Sequence, residues 1–176
     1  VTVNGTAVVA AFETGPLKRT VFDAGNYDFS IWANVSSTGG TSSITAGMFE
    51  TIPFTAGTIT ITGTGTSRTA TASTDSPFAN VTAGSSTIAS SYLQTPSGLY
   101  RITAKTSNTV VTINTPTGYT NESTVSSTVW DPLFNLNSGS ILTSSTLSEY
   151  LFSTTQPSFV TSSTNSGLGY IISTTT

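Results

Sequence analysis

Hydrophobic and polar residues alternate over many short stretches of this chain, which is typical of β-strands. The clearest stretch runs from Tyr27 to Val35. Successive side chains of a strand point to opposite faces, so one face of this stretch is aromatic and aliphatic. The other face carries Asp28, Ser30, Trp32 and Asn34. The pattern predicts an antiparallel strand with one buried face.

Further strands are predicted where β-branched residues alternate between Gly, Pro and Asn turns. We expect them at 18–22, 43–49, 57–62, 99–104, 109–114, 126–130, 148–153 and 167–173. The Thr- and Gly-rich run at 63–74 predicts an exposed ribbon or loop, and 85–93 a single helical turn. Many short strands without intervening helices predict an all-β fold, an antiparallel β-sandwich or jelly roll.

The first twelve residues are apolar or small at most positions and contain no charge and no Pro. Written as a strand, they place six residues on one face: Val1, Val3, Gly5, Ala7, Val9 and Ala11. The following Glu13-Thr14-Gly15-Pro16 predicts a hinge, because Pro cannot continue a central strand. The expected organisation is an N-terminal strand (1–12), a hinge (13–17) and a β domain (18–176).

Composition narrows the possible functions. Only 7% of residues are charged, against about a quarter in an average domain, so hydroxyls and amides must form much of the surface. The net charge of −3 argues against binding to nucleic acid or to an anionic membrane. No apolar run approaches the roughly 20 residues of a spanning helix. The sequence starts at Val1 rather than Met, so we expect that a leader has been removed or that the numbering begins inside a precursor. Low charge and abundant Thr favour a secreted, extracellular protein.

The chain has no His and no Cys, so the common nucleophile–base pairs and zinc sites cannot be built from it. Its carboxylates are scattered, and we expect turn and edge roles for them: Glu13, Asp23, Asp28, Glu50, Asp75, Glu122, Asp131 and Glu149. The oxygen-rich loop from Asp23 to Asp28 could attract calcium, but its spacing is that of ordinary hairpin chemistry. We therefore expect no catalytic site, no metal and no cofactor.

Four asparagines match the N-glycosylation acceptor pattern: Asn4, Asn34, Asn80 and Asn121. Their number is what the abundance of Ser and Thr would produce by chance. Asn34 is the most informative of them because it lies two residues from Trp32 on the same strand face. A sugar on Asn34 could cover the indole; alternatively, a loop or a neighbouring subunit covers it.

An apolar N-terminal strand with Gly5 near its middle, a hinge and a Ser/Thr-rich, cysteine-free β domain together resemble archaeal extracellular filament subunits of the thread type. They resemble more loosely the bacterial pilins that polymerise by donor-strand complementation. This resemblance implies a structural subunit whose strand 1–12 inserts into the next copy, giving a head-to-tail homopolymer that carries N-glycans. A role in adhesion or biofilm formation, with contact to cell-surface glycans, would follow.

Two other functions fit the same residues. A viral capsid, decoration or tail-fibre jelly roll would pair the N-terminal strand within its own domain or within a trimer. A secreted carbohydrate-binding module would use exposed aromatic residues such as Trp32 and Trp130 as a platform for sugar rings, although the chain is short of the charged groups that usually accompany such platforms.

Overall fold

The computed structural model describes residues 7–35, 41–74, 76–142 and 145–175. These residues form an all-β fold with antiparallel strands and no helix, which confirms the predicted fold class. The strands are β1 (Ala7–Glu13), β2 (Val21–Phe22), β3 (Gly25–Ala33), β4 (Ser42–Pro53), β5 (Ile59–Thr62), β6 (Ser67–Ala72), β7 (Tyr92–Thr95), β8 (Gly98–Lys105), β9 (Val110–Asn114), β10 (Glu122–Val125), β11 (Thr128–Leu142), β12 (Ser148–Gln156), β13 (Phe159–Val160) and β14 (Gly167–Thr175).

Ten strands form one sheet in the order β1-β14-β4-β11-β7-β8-β9-β6-β5-β10. The sheet curls on itself, so that buried residues from six of its strands meet in one cluster; these strands are β5, β6, β7, β8, β9 and β11. That cluster includes Ile59, Ile61, Leu93, Ile102 and Ile113, each 0% exposed. In the predicted strand at 57–62, Ile59 and Ile61 of β5 are buried, and Thr60 and Thr62, which alternate with them, are more exposed.

A two-stranded ribbon covers the other half of the sheet. It consists of β3 paired with β12. The short strands β2 and β13, which adjoin β3 and β12 in the sequence, pair with each other as well. A second core lies between this ribbon and the sheet, where Phe152 packs with Ile44, Ala46, Leu136 and Ile172. The result is a sandwich in which two strands cover the part of the sheet formed by β1, β14, β4 and β11.

The opposite face of this half carries a third, smaller cluster. Phe49, Tyr92, Trp130 and Ile171 pack together there. Tyr92 donates a hydrogen bond to the Thr87 carbonyl, so the 84–91 segment is fastened over this face. That segment contains no helix, so the predicted helical turn at 85–93 is wrong.

Several strands lie where the alternation predicted them, and others were missed. β3 is confirmed, with its inward residues half-buried and its outward residues exposed. The run at 63–74 is not an open loop, because β6 lies within it and is paired on both sides. Ala70 and Ala72 are buried there, so small residues of this Thr- and Gly-rich run fill a tight core.

Gly169 is required by the packing of Trp130. A Cβ added to Gly169 would lie 2.5 Å from Trp130 Cζ3 and 2.7 Å from Cε3. The indole is 2% exposed, and its Nε1 donates a hydrogen bond to Gln94 Oε1 at 2.7 Å. The ring therefore cannot move aside without breaking that bond.

We predict that Gly169→Ala lowers the free energy of unfolding by roughly 1–3 kcal/mol, the usual cost of overpacking a core. Urea unfolding followed by tryptophan fluorescence measures the change. Gly25→Ala is the matched control, since a Cβ there meets nothing within 4 Å. It should change stability by less than about 0.5 kcal/mol. Equal effects of the two substitutions would contradict the role given to Gly169.

Candidate functional site

β1 lies at one end of the ten-stranded sheet and pairs with β14 of the same chain. Val8 lies opposite Ser173, Ala11 opposite Ile171, and Glu13 opposite Gly169. Of the predicted donor-strand residues, Ala7, Val9 and Ala11 belong to β1. Val1, Val3 and Gly5 lie outside the described residues. In the isolated chain the described part of the N-terminal strand therefore completes its own sheet.

A β-bulge changes which residues of β1 share a face. The register shifts between Val8 and Ala10, so that Val9 and Ala10 both pack against the core beneath the ribbon. Ala11 lies on the opposite face, in an open groove of about 310 Å³ that Trp130 also lines. The expectation that Val9 and Ala11 share one face is wrong, because a bulge inserts one extra residue into the strand.

The predicted hinge is exposed, yet its backbone is held. Thr14 N donates to the Leu168 carbonyl at 2.8 Å, and Leu168 N donates to Thr14 Oγ1 at 2.9 Å. Leu17 N and Lys18 N donate to the carbonyls of Ser166 and Thr164. Lys18 has a φ of 60°, the left-handed conformation that a side chain disfavours. The segment between β1 and β2 is therefore both fastened and strained.

The layer over β1 is incomplete. Phe12 lies opposite Tyr170, on the face that carries the ribbon elsewhere, yet it is 55% exposed. Within the described ranges, neither β3 nor β12 has a second hydrogen-bonded neighbour. Phe29 of β3 stacks on Tyr170 with the ring centroids 5.3 Å apart and stays half-buried. This end of the sandwich thus exposes apolar side chains and unpaired strand edges.

Two carboxylates lie opposite each other inside the sandwich. Asp131 of β11 faces Glu50 of β4 in the register. Glu50 is 7% exposed and accepts hydrogen bonds from both N and Oγ of Ser162, each at 2.6 Å. Asp131 accepts a hydrogen bond from Ser91 Oγ at 2.6 Å. The turn and edge roles expected for these two acids are wrong; they fasten the chain segments that close this part of the core.

Burial raises the pKa of the Asp131 carboxyl above its ordinary value of 3.8. The hydrogen bond from Ser91 acts in the opposite direction, the Glu50 carboxylate raises this pKa further, and Lys105 lowers it. The folded chain therefore binds a proton here more tightly than the unfolded chain does.

A third internal acid lies where β10 meets the curled half of the sheet. Glu122 Oε1 accepts hydrogen bonds from Tyr119 and from Thr95 Oγ1. Burial and this bond raise the pKa of the Tyr119 phenol. Arg68, 7% exposed, donates to the carbonyls of Gly63, Gly65 and Tyr119 and so closes the neighbouring turns. These hydrogen bonds tie β10 and the turns beside it to the curled half of the sheet.

The outward face of the ribbon combines hydrogen-bonded polar pairs with exposed apolar residues. Thr155 donates to Asn26 Oδ1, Ser153 to Asp28 Oδ1, and Ser30 to Glu149 Oε1. Trp32 and Leu151 are 62% and 63% exposed on the same face. Two oxygen-bearing side chains of the 23–28 loop, Asn26 and Asp28, are engaged in these hydrogen bonds. Among the described residues, no three His, Cys, Asp or Glu side chains are grouped so that they could hold a metal ion.

The acceptor asparagines lie in different settings. Asn34 and Asn80 are exposed, at the end of β3 and in the turn after Phe78. Asn121 is exposed as well, with its Oδ1 accepting a hydrogen bond from Arg68 Nη1. Asn4 lies outside the described residues. The amides of the three described asparagines are thus at the surface, where modification requires them.

The chain matches no family model, no curated protein and no solved structure in the three comparisons. In the part that the structure describes, no helix is long and apolar enough to cross a membrane. Function must therefore be argued from the geometry of this chain alone.

We predict that Asp131→Asn stabilises the protein at pH 7. A proton on Asp131 is bound more tightly in the folded state than in the unfolded state, so it stabilises the fold. This contribution to the free energy of unfolding is complete below the ordinary pKa of 3.8 and is lost as the pH rises through the raised pKa of the folded state. Asparagine removes this dependence and keeps an acceptor for Ser91. Calorimetry at pH 7 should show a Tm higher by about 2–4 °C, the equivalent of roughly 1 kcal/mol.

Asp28→Asn is the matched control, because Asp28 accepts the same kind of bond from Ser153 at the surface. Its Tm should stay within about 2 °C of the parent. A lower Tm for Asp131→Asn at pH 7 would contradict the assignment, because it would mean that the ionised carboxylate stabilises the fold.

Proposed function

We propose that this chain is a structural subunit of an extracellular surface filament, in which the N-terminal strand of one copy completes the sheet of the next. The observation that carries the proposal is the position of β1. Among the described residues it is an end strand whose hydrogen-bonded neighbour is β14, so its removal would interrupt no other pairing in the sheet. The β14 edge can accept the same strand from a neighbouring copy in the same register.

Exchange between copies leaves the pairing energy of β1 almost unchanged, because the same contacts form within a chain and between chains. The connecting segment then decides the balance. A short connection under strain favours strand exchange, and Lys18 in this connection has the disfavoured φ of 60°. A residue held in this way costs of the order of 1 kcal/mol, which release into an extended linker would recover.

The fastened segment also sets where β1 would detach. The bonds of Thr14 and Leu17 to the Leu168 and Ser166 carbonyls tie the chain to its own domain. Detachment that begins at Glu13 frees β1 while these bonds hold, and the conformation of Lys18 is relieved only when the bonds of this segment break as well. A strand donated head to tail leaves each copy with one free donor and one free acceptor, so repeated exchange extends into a filament where the rotation between copies does not close into a ring.

Composition supports an extracellular setting for such a filament. Charged residues make up 7% of the chain, and Cys and His are absent. The buried acids Glu50 and Asp131 accept hydrogen bonds from Ser162 and Ser91 and so support the fold. A surface rich in hydroxyl groups and poor in charge is consistent with a filament that carries N-glycans and acts in adhesion or biofilm formation.

We predict that a variant lacking residues 1–12 stays monomeric and less stable, and that a synthetic Val1–Phe12 peptide restores its stability. The deletion uncovers the β14 edge beside Ile171 and Ile172, both buried in the intact chain. The full-length protein should form long thin filaments in negative-stain micrographs, whereas the deletion variant should not. Thermal unfolding with and without the peptide measures the recovery.

A peptide carrying Val9→Asp is the control, because Val9 packs into the core beneath the ribbon. It should restore far less stability, since an unpaired charge would be carried into an apolar site. Filaments formed by the deletion variant would rule out strand exchange. Micrographs of the native material that show virions would favour a viral surface protein instead.

A further inference from the structure

Trp32 is the largest exposed apolar side chain on the outward face of the ribbon, and its surroundings are specific. It lies opposite Glu149 in the β3–β12 register, and Leu151 lies two pairs further along, opposite Ser30. Trp32 is 62% exposed and Leu151 is 63% exposed. The two therefore form a diagonal apolar strip on an otherwise hydroxyl- and carboxylate-bearing surface.

Asn34 directly follows the last residue of β3, two residues after Trp32, and is exposed. Residues two apart in an extended chain lie about 6.5 Å apart, which is within reach of a sugar ring attached to the asparagine. Asn34 begins the acceptor triplet Asn34-Val35-Ser36. Its Nδ2 donates to the Ser145 carbonyl at 3.2 Å. An amide linked to a sugar keeps one N–H, so this bond and the modification are compatible.

A sugar ring suits this strip chemically. The face of an indole is electron-rich and apolar, and it attracts the polarised C–H groups of a pyranose. Ring hydroxyls need partners at the rim. Glu149 has one carboxylate oxygen bonded by Ser30, and a carboxylate accepts several hydrogen bonds. Stacking on Trp32 with hydroxyls directed to Glu149 would satisfy both requirements.

We infer that an N-glycan attached to Asn34 folds back along the ribbon and covers Trp32. The tether identifies the occupant: the first rings of a chain fixed at Asn34 must lie within reach of the indole two residues away. The inference rests on the proposed extracellular role, since N-glycans are added to exported proteins. The inference gives the Asn34 glycan a structural role: by covering the strip formed by Trp32 and Leu151, it would prevent this apolar surface from associating with other molecules.

The chain offers a direct reporter, because it contains two tryptophans. Trp130 is 2% exposed, so acrylamide quenching of tryptophan emission reports chiefly on Trp32. The full chain is produced in a host that attaches N-glycans and in one that does not. Quenching of the glycosylated protein should be weaker by at least about two-fold, because a sugar stacked on the indole excludes the quencher. Trp32→Phe in both preparations identifies the signal that belongs to Trp32.

Asn34→Gln made in the glycosylating host should restore the strong quenching of the unmodified protein. Asn80→Gln is the matched control, since it removes an acceptor in a different turn and should leave the protection of Trp32 unchanged. Peptide mass spectrometry gives the occupancy of Asn34 in the same samples. An unmodified Asn34, or a modified Asn34 beside a fully quenched Trp32, overturns the inference.

The other possible occupants give different results. If Trp32 of the unglycosylated protein becomes protected from acrylamide only when the protein assembles, a neighbouring copy covers the strip. Protection by added free oligosaccharide would assign it to carbohydrate binding. Either result overturns the tethered glycan. The two proposals can fail separately. Filaments in which Asn34 is unmodified would contradict the glycan inference and not the proposed function. A glycan-protected Trp32 in a protein that never assembles would contradict the filament and not the glycan inference.

Discussion

The pairing of β11 with β4 is the interaction on which the rest of the structure depends. Along its length β11 contributes Val129 to the curled core, Trp130 to the opposite face and Leu136 to the core beneath the ribbon. Its first residues also pair with β7, which links the curled half to the sandwich half. β4 in turn carries β14, and β14 carries β1. The end strand is therefore the last element of a series that begins at β11.

The scarcity of charge explains how the edges of this sheet are managed. Many sheet proteins protect an edge with Lys or with inward-pointing charges, but this chain has five basic residues. At the β14 edge the protection comes from β1 itself, with a bulge that interrupts its alternation. An edge that is protected only by a detachable strand is also an edge that another copy can use, and this is the physical link between the fold and the proposed assembly.

The sequence predicted the strands whose alternation is strict and missed those that depend on distant partners. Tyr27–Val35 and the Ile residues of β5 have one apolar face each, so their burial could be foreseen. Arg68 in β6 is buried because turn carbonyls far along the chain surround it, and no local pattern reveals that. The bulge at Val9 arises from pairing with β14, and the inward placement of Glu50 depends on Ser162; both are properties of the assembled sheet.

Whether β1 pairs within one chain or between chains can be measured most directly with a split cysteine pair, because the natural chain has no Cys. Val8 and Ser173 lie opposite each other in the β1–β14 register. A Val8→Cys protein is mixed with a Ser173→Cys protein, allowed to assemble and then oxidised, with Val8→Cys mixed with an exposed Thr155→Cys protein as the control. The account predicts a covalent dimer joining the two variants on a non-reducing gel, formed by the first mixture alone. Its absence, together with an efficient bond within single chains that carry both cysteines, would show that β1 stays in its own domain and would contradict the account.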